Sequence, residues 1–333
     1  MQNKKIIVLC FVLILVLSTG FIACRRGGSG ESQSYTLMMS TQLADTSPMV
    51  AGFREWADAV AQRTNGNLTI EVYTSAALGS DEDVIEQALQ GVNVAVLTDG
   101  GRMANYVSGI GIIGMAYIAE SYEELTRITE TPTFQSYDAQ LIREGIRILS
   151  YNWYDGPRNF YTNRVVNTPA DLNGVRIRTP GAPVWARSVA SLGATPIAMP
   201  WPDSYNAMQT RAIDGLEGQS TATYPLRIHE VASNMARTEH FHLANFIMVG
   251  ERWFSTLPAE YQRILMEECK RVSIANAAQI LGVAEANERS MVAAGLRINE
   301  VNKAPFIAAA EAAYRELGFL EARDNMWREI GKR

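Results

Sequence analysis

The sequence predicts an α/β protein of about two domains, built on parallel sheets with covering helices, and three observations carry that reading. Strand and helix signals alternate through two successive blocks, about 35–150 and 146–211. The 333 residues are enough for about two domains, each able to bury a core. One helical stretch, from Pro258 to about Ala294, is long enough at about 50 Å to run along both lobes.

In the first block, Tyr35 to Met39 reads as a strand. Pro48 to Thr64 reads as a helix with Phe53, Trp56, Ala57 and Val60 on one face, stopped by Asn65-Gly66. Leu68 to Tyr73 alternates like a strand. Asp81 to Gln90 is a helix whose first turn carries acids, where the helix dipole favours them, and Gly91 follows its end. Val92 to Leu97 is a continuous apolar run typical of a buried strand, and Tyr122 to Thr129 and Phe134 to Arg143 are helical. In the second block, Ile146 to Tyr154 and Asn159 to Asn163 are expected as two strands around an Asp155-Gly156-Pro157 turn. Val175 to Arg178 is a short strand ended by Thr179-Pro180-Gly181. Helices at Val184 to Leu192 and Asp203 to Arg211 bracket a strand from Pro196 to Met199. The tail from Ala304 onward reads as one or two short amphipathic helices.

The N-terminus reads as an address rather than as fold. Lys4 and Lys5 precede an apolar run from Ile6 to Leu17, twelve residues and too short for a membrane span of about 20, so residues 1–23 are expected to be a signal peptide. The run ends in Phe21-Ile22-Ala23-Cys24, which resembles a bacterial lipobox and makes Cys24 the expected lipidation site. Phe21 stands where Leu is usual, and an ordinary secretory signal is the alternative. Residues 24–34 hold three glycines and three serines between Arg25 and Ser34 and read as a flexible tether. With Cys10 in the signal and Cys24 lipidated, Cys269 is left without an intramolecular partner. The protein is thus expected in the periplasm or at the cell surface, lipid-anchored. A net charge of −5 with no basic run longer than two residues excludes a sequence-independent grip on nucleic acid.

An open α/β sheet holds ligands beyond the carboxyl ends of its strands. Arg178 falls there, on the face opposite Val175 and Ile177, where a guanidinium can grip a carboxylate through two hydrogen bonds. A lone arginine in such a place is more often simply solvated, so the motif around it decides. The Gly109–Gly114 run satisfies G-x-G-x-x-G but lacks the strand-turn-helix setting, so no dinucleotide cofactor is expected. His229, His240 and His242 are the only histidines and no HExxH or cysteine cluster accompanies them, so no metal is expected. There is no G-x-S-x-G elbow, and no catalytic residue is assigned.

The stretches TPADLNGVRIRTPGAP (168–183) and LGATPIAMPWPDSYNAMQTRAIDGLEG (192–218) resemble the substrate-binding proteins of tripartite ATP-independent periplasmic (TRAP) transporters, the DctP family. TNGNLTIEVYTSAALG (64–79), QALQG (87–91) and LPAEYQ (257–262) extend the match over nearly the whole chain after the tether. The resemblance implies a two-lobe periplasmic-binding-protein-like (type II) α/β fold, each lobe a mixed sheet flanked by helices, joined by crossover strands and the long helix. It implies a small organic-acid ligand in an interlobe cleft, delivery to the small and large TRAP membrane subunits, no enzymatic activity and no cofactor. Arg178 matches the family arginine that pairs with the ligand carboxylate, and Arg158 a second basic position that assists it. Trp201 falls where an aromatic residue packs on the ligand, and Asp99 where a pocket residue can lie.

One position departs from the family. Where many relatives read Asp-Gly-x-Glu-Asn-Pro, this chain has Asp214-Gly215-Leu216-Glu217-Gly218-Gln219, so either Gln219, with Glu217 nearby, moves in for the missing Asn, or fewer groups hold the ligand carboxylate. With Trp153, Trp185 and Trp201 near the crevice, an apolar or aromatic acid is expected in preference to a small dicarboxylate. The ligand set is therefore Arg178, Arg158, Trp201, Asp99, Gln219, Glu217 and Trp153. The expected division is lobe I at 35–154 plus about 244–284, and lobe II at 155–243 plus about 285–333, in a monomer. The alternative reading is a periplasmic metal- or peptide-binding lipoprotein of another uptake system.

Overall fold

The computed structural model describes residues 33–332, so the signal peptide, Cys24 and nearly all of the tether lie outside the described residues. From Tyr35 onward the chain builds one mixed sheet of nine strands: β1 (Tyr35–Ser40), β2 (Leu68–Tyr73), β3 (Val94–Asp99), β4 (Ile146–Thr162), β5 (Arg176–Thr179), β6 (Thr195–Ala198), β7 (Gly215–Gln219), β8 (Asn234–Gly250) and β9 (Arg297–Glu300). Their order is β2-β1-β3-β8-β4-β7-β5-β6, with β9 alongside β8. Within each end of the sheet the neighbours run parallel: β1 with β2 and β3, β5 with β6 and β7. β4 and β8 run antiparallel to each other through the middle.

These two 17-residue strands join the halves. The first part of β4 pairs with the last part of β8, which also pairs with β3. The second part of β4 pairs with the first part of β8 and with β7. Here the structure corrects the sequence reading: residues 146–162 are a single strand, not two strands around a turn. Gly156 takes φ +96°, a conformation that glycine adopts without strain, and the register slips between Tyr154 and Pro157. The chain therefore bulges at Asp155-Gly156-Pro157 and continues. β7, β8 and β9 were not anticipated, because Gly215 to Gln219 carries two glycines and β8 mixes polar and apolar residues without alternation.

Helices cover both faces. α1 (Pro48–Arg63) starts at a proline in its first turn, and α2 (Asp81–Leu89) at a capping box in which Ser80 and Asp83 satisfy each other's backbone. The four-residue α3 (Gly100–Met103) follows β3 directly. α4 (Tyr122–Thr129) and α5 (Pro132–Arg143) lead into β4, α6 (Pro183–Ser191) and α7 (Ser204–Gln209) follow β5 and β6, and α8 (Ser220–Thr223) caps β7. After α9 (Glu251–Phe254) comes α10 (Ala259–Ala293), 35 residues long, then α11 (Ala304–Glu316) and α12 (Leu320–Glu329).

α10 reaches both halves, as its length suggests. Near its start, Trp56 of α1 donates its indole N–H to the Leu265 carbonyl at 3.2 Å, and Arg63 pairs with Glu267 and Glu268. Near its end, Glu288 accepts from Ser220 at 2.7 Å and from Arg237, and Asn287 donates to the Ser220 carbonyl. Phe53, Trp56, Trp153, Leu265 and Val272 belong to one buried cluster under α1 and α10. Ile112, Ile113, Phe134 and Phe246 belong to a second on the other face, and Phe160, Ile177, Trp185 and Phe306 to a third. The Gly109–Gly114 run is a 3₁₀ segment against α3: a Cβ on Gly111 would meet Ala104 at 2.7 Å and one on Gly114 the Gly101 backbone nitrogen at 3.0 Å, so these two glycines serve close packing. Among the described residues no helix is long and apolar enough to cross a membrane.

Candidate ligand-binding site

Beyond the carboxyl ends of β1, β3, β5 and β7, where β4 and β8 cross between the halves, lies a cleft of about 560 Å³. Each strand end contributes. Thr41 and Gln42 follow β1, Thr98 and Asp99 end β3, Arg178 and Pro180 lie at the end of β5, and Gln219 ends β7. Asp155 and Arg158 come from the β4 bulge, Leu243 and Asn245 from the facing part of β8.

The cleft holds three buried arginines with unlike surroundings. Arg102 donates from Nε to Glu82 at 2.8 Å, approaches Asp81 at 3.2 Å, and pairs closely with Asp99. Arg158 makes a two-pronged pair with Glu217, through Nε and through a terminal nitrogen at 2.8 Å, and its other terminal nitrogen donates to Gln219 at 2.7 Å. Arg178 is different. It is 2% exposed, donates from Nε to the Met199 carbonyl at 2.9 Å, and has its guanidinium 5.2 Å from the Trp201 ring centre. Among the described residues no carboxylate pairs with it within the 4.0 Å that defines an ion pair. Burial, with Arg158 and Arg102 adding repulsion, pushes its pKa down to about 9 against the pull of Glu217. It remains a cation at neutral pH.

Two wall carboxylates show the same dryness. Asp81 is pushed up to about 6 by burial, opposed by Arg102 and by a hydrogen bond from Gln42. Asp155 is likewise pushed up to about 6 by burial, although Thr221 and the Gln219 amide each donate to it at 2.6 Å. Gln42 also accepts from the Trp201 backbone N–H at 2.9 Å, linking the loop after β1 to the segment after β6.

Of the residues expected from sequence, Arg178, Arg158, Trp201, Asp99 and Gln219 all meet at this cleft. Their surroundings refine them. Asp99 caps α3 by accepting from the Arg102 backbone N–H at 3.0 Å, accepts from the Trp185 indole at 2.8 Å, and pairs with the Arg102 side chain, so it orients two other wall residues. Gln219 is held at both ends, by Arg158 and by Asp155, and does not stand in freely for the missing Asn. Glu217 is fully buried behind Arg158 and lies off the wall.

Trp153 is not brought to the cleft. The register shift between Ser150 and Trp153 accompanies its burial beneath α1 and α10, where it packs edge-on to Phe53 at 4.8 Å and donates to Cys269 Sγ at 3.4 Å. Conversely, Gln42, Asp81, Arg102, Asp155 and Asn245 line the cleft without having been singled out, and Trp185 was noted only as a nearby aromatic. The strand-end rule would have found Gln42, whereas Asn245 sits within a strand that the sequence did not reveal.

The histidines have other partners. His240 stacks on Phe160 at 4.3 Å with Nδ1 2.7 Å from the Thr238 hydroxyl, His242 meets the Tyr154 hydroxyl at 2.9 Å, and His229 stacks on Tyr224. Among the described residues no group of three or more His, Cys, Asp or Glu could hold a metal ion.

A mixed sheet crossed by two long strands, with a polar cleft at the crossing, defines a receptor of the periplasmic-binding-protein type. The sequence model of DctP, bacterial extracellular solute-binding protein family 7, matches residues 39–319, and the chain belongs to this family of TRAP-transporter solute receptors, which are not enzymes. It is similar to the sialic acid-binding periplasmic protein SiaP of Vibrio cholerae, 26% identical over 84% of this chain and 88% of that protein. A TRAP periplasmic solute-binding protein from Escherichia fergusonii, in an apo open structure, is 32% identical with a TM-score of 0.77, covering 88% of this chain and 99% of that one. Another from Ochrobacterium anthropi, with bound L-fuconate, is 27% identical with a TM-score of 0.86, covering 89% and 99%.

Proposed function

We propose that the chain is the extracytoplasmic receptor of a TRAP transporter, binding an organic acid in this cleft through Arg178 and delivering it to the small and large membrane subunits. The observation that carries the reading is the buried Arg178 guanidinium without a carboxylate partner among the described residues. Taking a cation out of water is costly unless an anion compensates, and a ligand carboxylate supplies the anion in a geometry suited to two hydrogen bonds. The names of two relatives point the same way, one to sialic acid and the other to L-fuconate. Arg158 is already engaged by Glu217 and Gln219, so it adds positive field rather than a direct bond.

Closure follows from the strand crossing. Residues 35–154 with about 244–284, and 155–243 with about 285–333, are taken as two lobes that move about the β4 bulge and the facing part of β8. A bound acid shifts that equilibrium toward the closed form.

An apolar or aromatic cargo draws support from Trp185, Trp201, Leu43, Leu97 and Leu243 on the wall, but it loses Trp153 and must sit among Asp81, Asp155 and Asn245. Cys24 is proposed as a lipidated anchor after removal of residues 1–23, with the receptor acting as a periplasmic or surface monomer. Two acyl chains on one cysteine hold a protein stably where a single chain does not. Mass spectrometry of membrane-extracted protein would give the diacylglyceryl mass on Cys24, and an unmodified, freely soluble product would remove that part.

The receptor itself is tested by native mass spectrometry of a soluble form beginning at residue 31, as purified and after unfolding. A bound organic acid that is lost in Arg178→Ala is expected. A metal ion, or a neutral lipid-like molecule retained by Arg178→Ala, would refute the reading.

A further inference from the structure

The remaining charges of the cleft restrict what else the acid can carry, an argument that rests on the proposed pairing of its carboxylate with Arg178. Arg102 is occupied by Asp81, Glu82 and Asp99, and Arg158 by Glu217 and Gln219. With Asp155 added, five carboxylates surround three guanidinium groups, and Asp81 and Asp155 lie on the wall itself. A second carboxylate on the ligand would meet these two with no unpaired cation among the described wall residues, losing its hydration without gaining a counter-charge.

Hydroxyl groups suit the same surface. A hydroxyl donates to a carboxylate and accepts from an amide at once. The Asn245 side chain lines the cleft and makes no hydrogen bond to another described residue, and the Thr98 hydroxyl, also on the wall, is buried without a partner. A saturated chain placed against these groups would leave them unpaired in a dry site, which is how sites built for a hydroxyl reject analogues that lack one.

We infer that the cleft selects an acid with a single charged group and hydroxyls along the rest of its chain, of the aldonate type, and excludes dicarboxylates and saturated acids. Arg178 and the Trp201 ring hold the carboxylate end, while Asp81, Asp155, Asn245 and Thr98 receive the hydroxylated remainder.

The test is calorimetric titration at pH 7.5 of protein freed of bound solute by unfolding and refolding. The probes are D-gluconate, D-galactonate and L-fuconate, the matching aldarates D-glucarate and galactarate, succinate, and hexanoate. An aldonate should bind best, with its matched aldarate and hexanoate weaker by at least about tenfold. Asn245→Leu should weaken that aldonate by about tenfold or more while leaving hexanoate no weaker. Asp81→Asn should narrow the gap between aldonate and aldarate.

Tightest binding by succinate, an aldarate or hexanoate, or no binding by any aldonate, overturns the inference, as does an Asn245→Leu protein indistinguishable from the parent. Arg178→Ala separates the two ideas. If it retains the tightest probe, the carboxylate role of Arg178 falls. If it loses that probe and the probe is a diacid or saturated acid, the hydroxylated class alone falls.

Discussion

The Trp201 ring lies directly against Gly218: a Cβ built on that glycine would come 3.1 Å from Trp201 Cη2 and 2.9 Å from the buried Thr223 Cγ2. The position where many relatives carry Asn is here the space that lets an indole reach Arg178. Gly218 and Trp201 are therefore coupled through space: the missing side chain at 218 leaves room for the ring that lies against the Arg178 guanidinium.

Gly218→Ala should push against Trp201 or Thr223, neither of which is free to swing away. Overpacking of this kind costs about 1–3 kcal/mol. A melting temperature lowered by several degrees, and weaker binding of an organic-acid ligand, are expected from scanning calorimetry and titration. Gly218→Asn should be worse than Gly218→Ala, and a protein that improves on restoring the family Asn would show that the glycine is not coupled to Trp201.

Arg158 and Glu217 form a buried pair whose halves depend on each other. Glu217→Gln leaves a buried guanidinium without its anion, a change of the kind that costs about 3–5 kcal/mol. Replacing both, with Arg158→Met and Glu217→Leu, should recover much of that loss. Urea unfolding of the two single variants and the double variant measures the coupling. Additive losses would mean that the pair, despite its two-pronged geometry, is not the unit of stability.

Acid should stabilise the ligand-free protein through Asp81 and Asp155. Both have folded pKa values raised to about 6, above about 3.9 in the unfolded chain, so the folded state holds these protons more tightly. Their contribution is fully present below about pH 4 and is lost as pH rises through 6. Asp214, lowered to about 2 by Arg176, works in the opposite sense: its contribution is present above about pH 4 and lost as pH falls toward 2. Melting temperature should therefore rise between pH 7.5 and 5 at fixed ionic strength, with a smaller rise in Asp155→Asn. A melting point that falls steadily over that range would contradict the burial of these carboxylates.

The cleft was legible where a residue's chemistry and its place at a strand end coincide. Arg178 is the clear case: its strand alternates visibly and ends in Thr179-Pro180-Gly181, and the motif around it matches the family. Trp153 misled because an aromatic near the crevice in sequence says nothing about which face of a bulged strand it occupies. Asn245 stayed hidden for a related reason. β8 is buried on both faces over much of its length, so no polar-apolar alternation marks it, and its pairing with β3 and β4 is set by tertiary packing. The occupancy of Arg102 and Arg158 depends on carboxylates such as Glu82 and Glu217 that approach only in the fold. Sequence identifies the three arginines as equally charged, and the structure distinguishes the one left open.

That distinction gives Arg178 opposite effects on binding and on stability. In the ligand-free protein its guanidinium is buried beside two other arginines, held by one carbonyl bond and the Trp201 face. Arg178→Met keeps the length and apolar stem while removing the charge, so the empty protein should be at least as stable as the parent and a degree or more higher in melting temperature. The same variant should lose the upward shift that the acid gives the parent, since saturation at about 100 Kd stabilises by about 2.7 kcal/mol only when binding survives. Thermal melts of both proteins with and without the acid read the two effects together. A variant destabilised by several degrees when empty would mean that Arg178 is a structural cation, satisfied by its surroundings, rather than a charge kept open for a ligand.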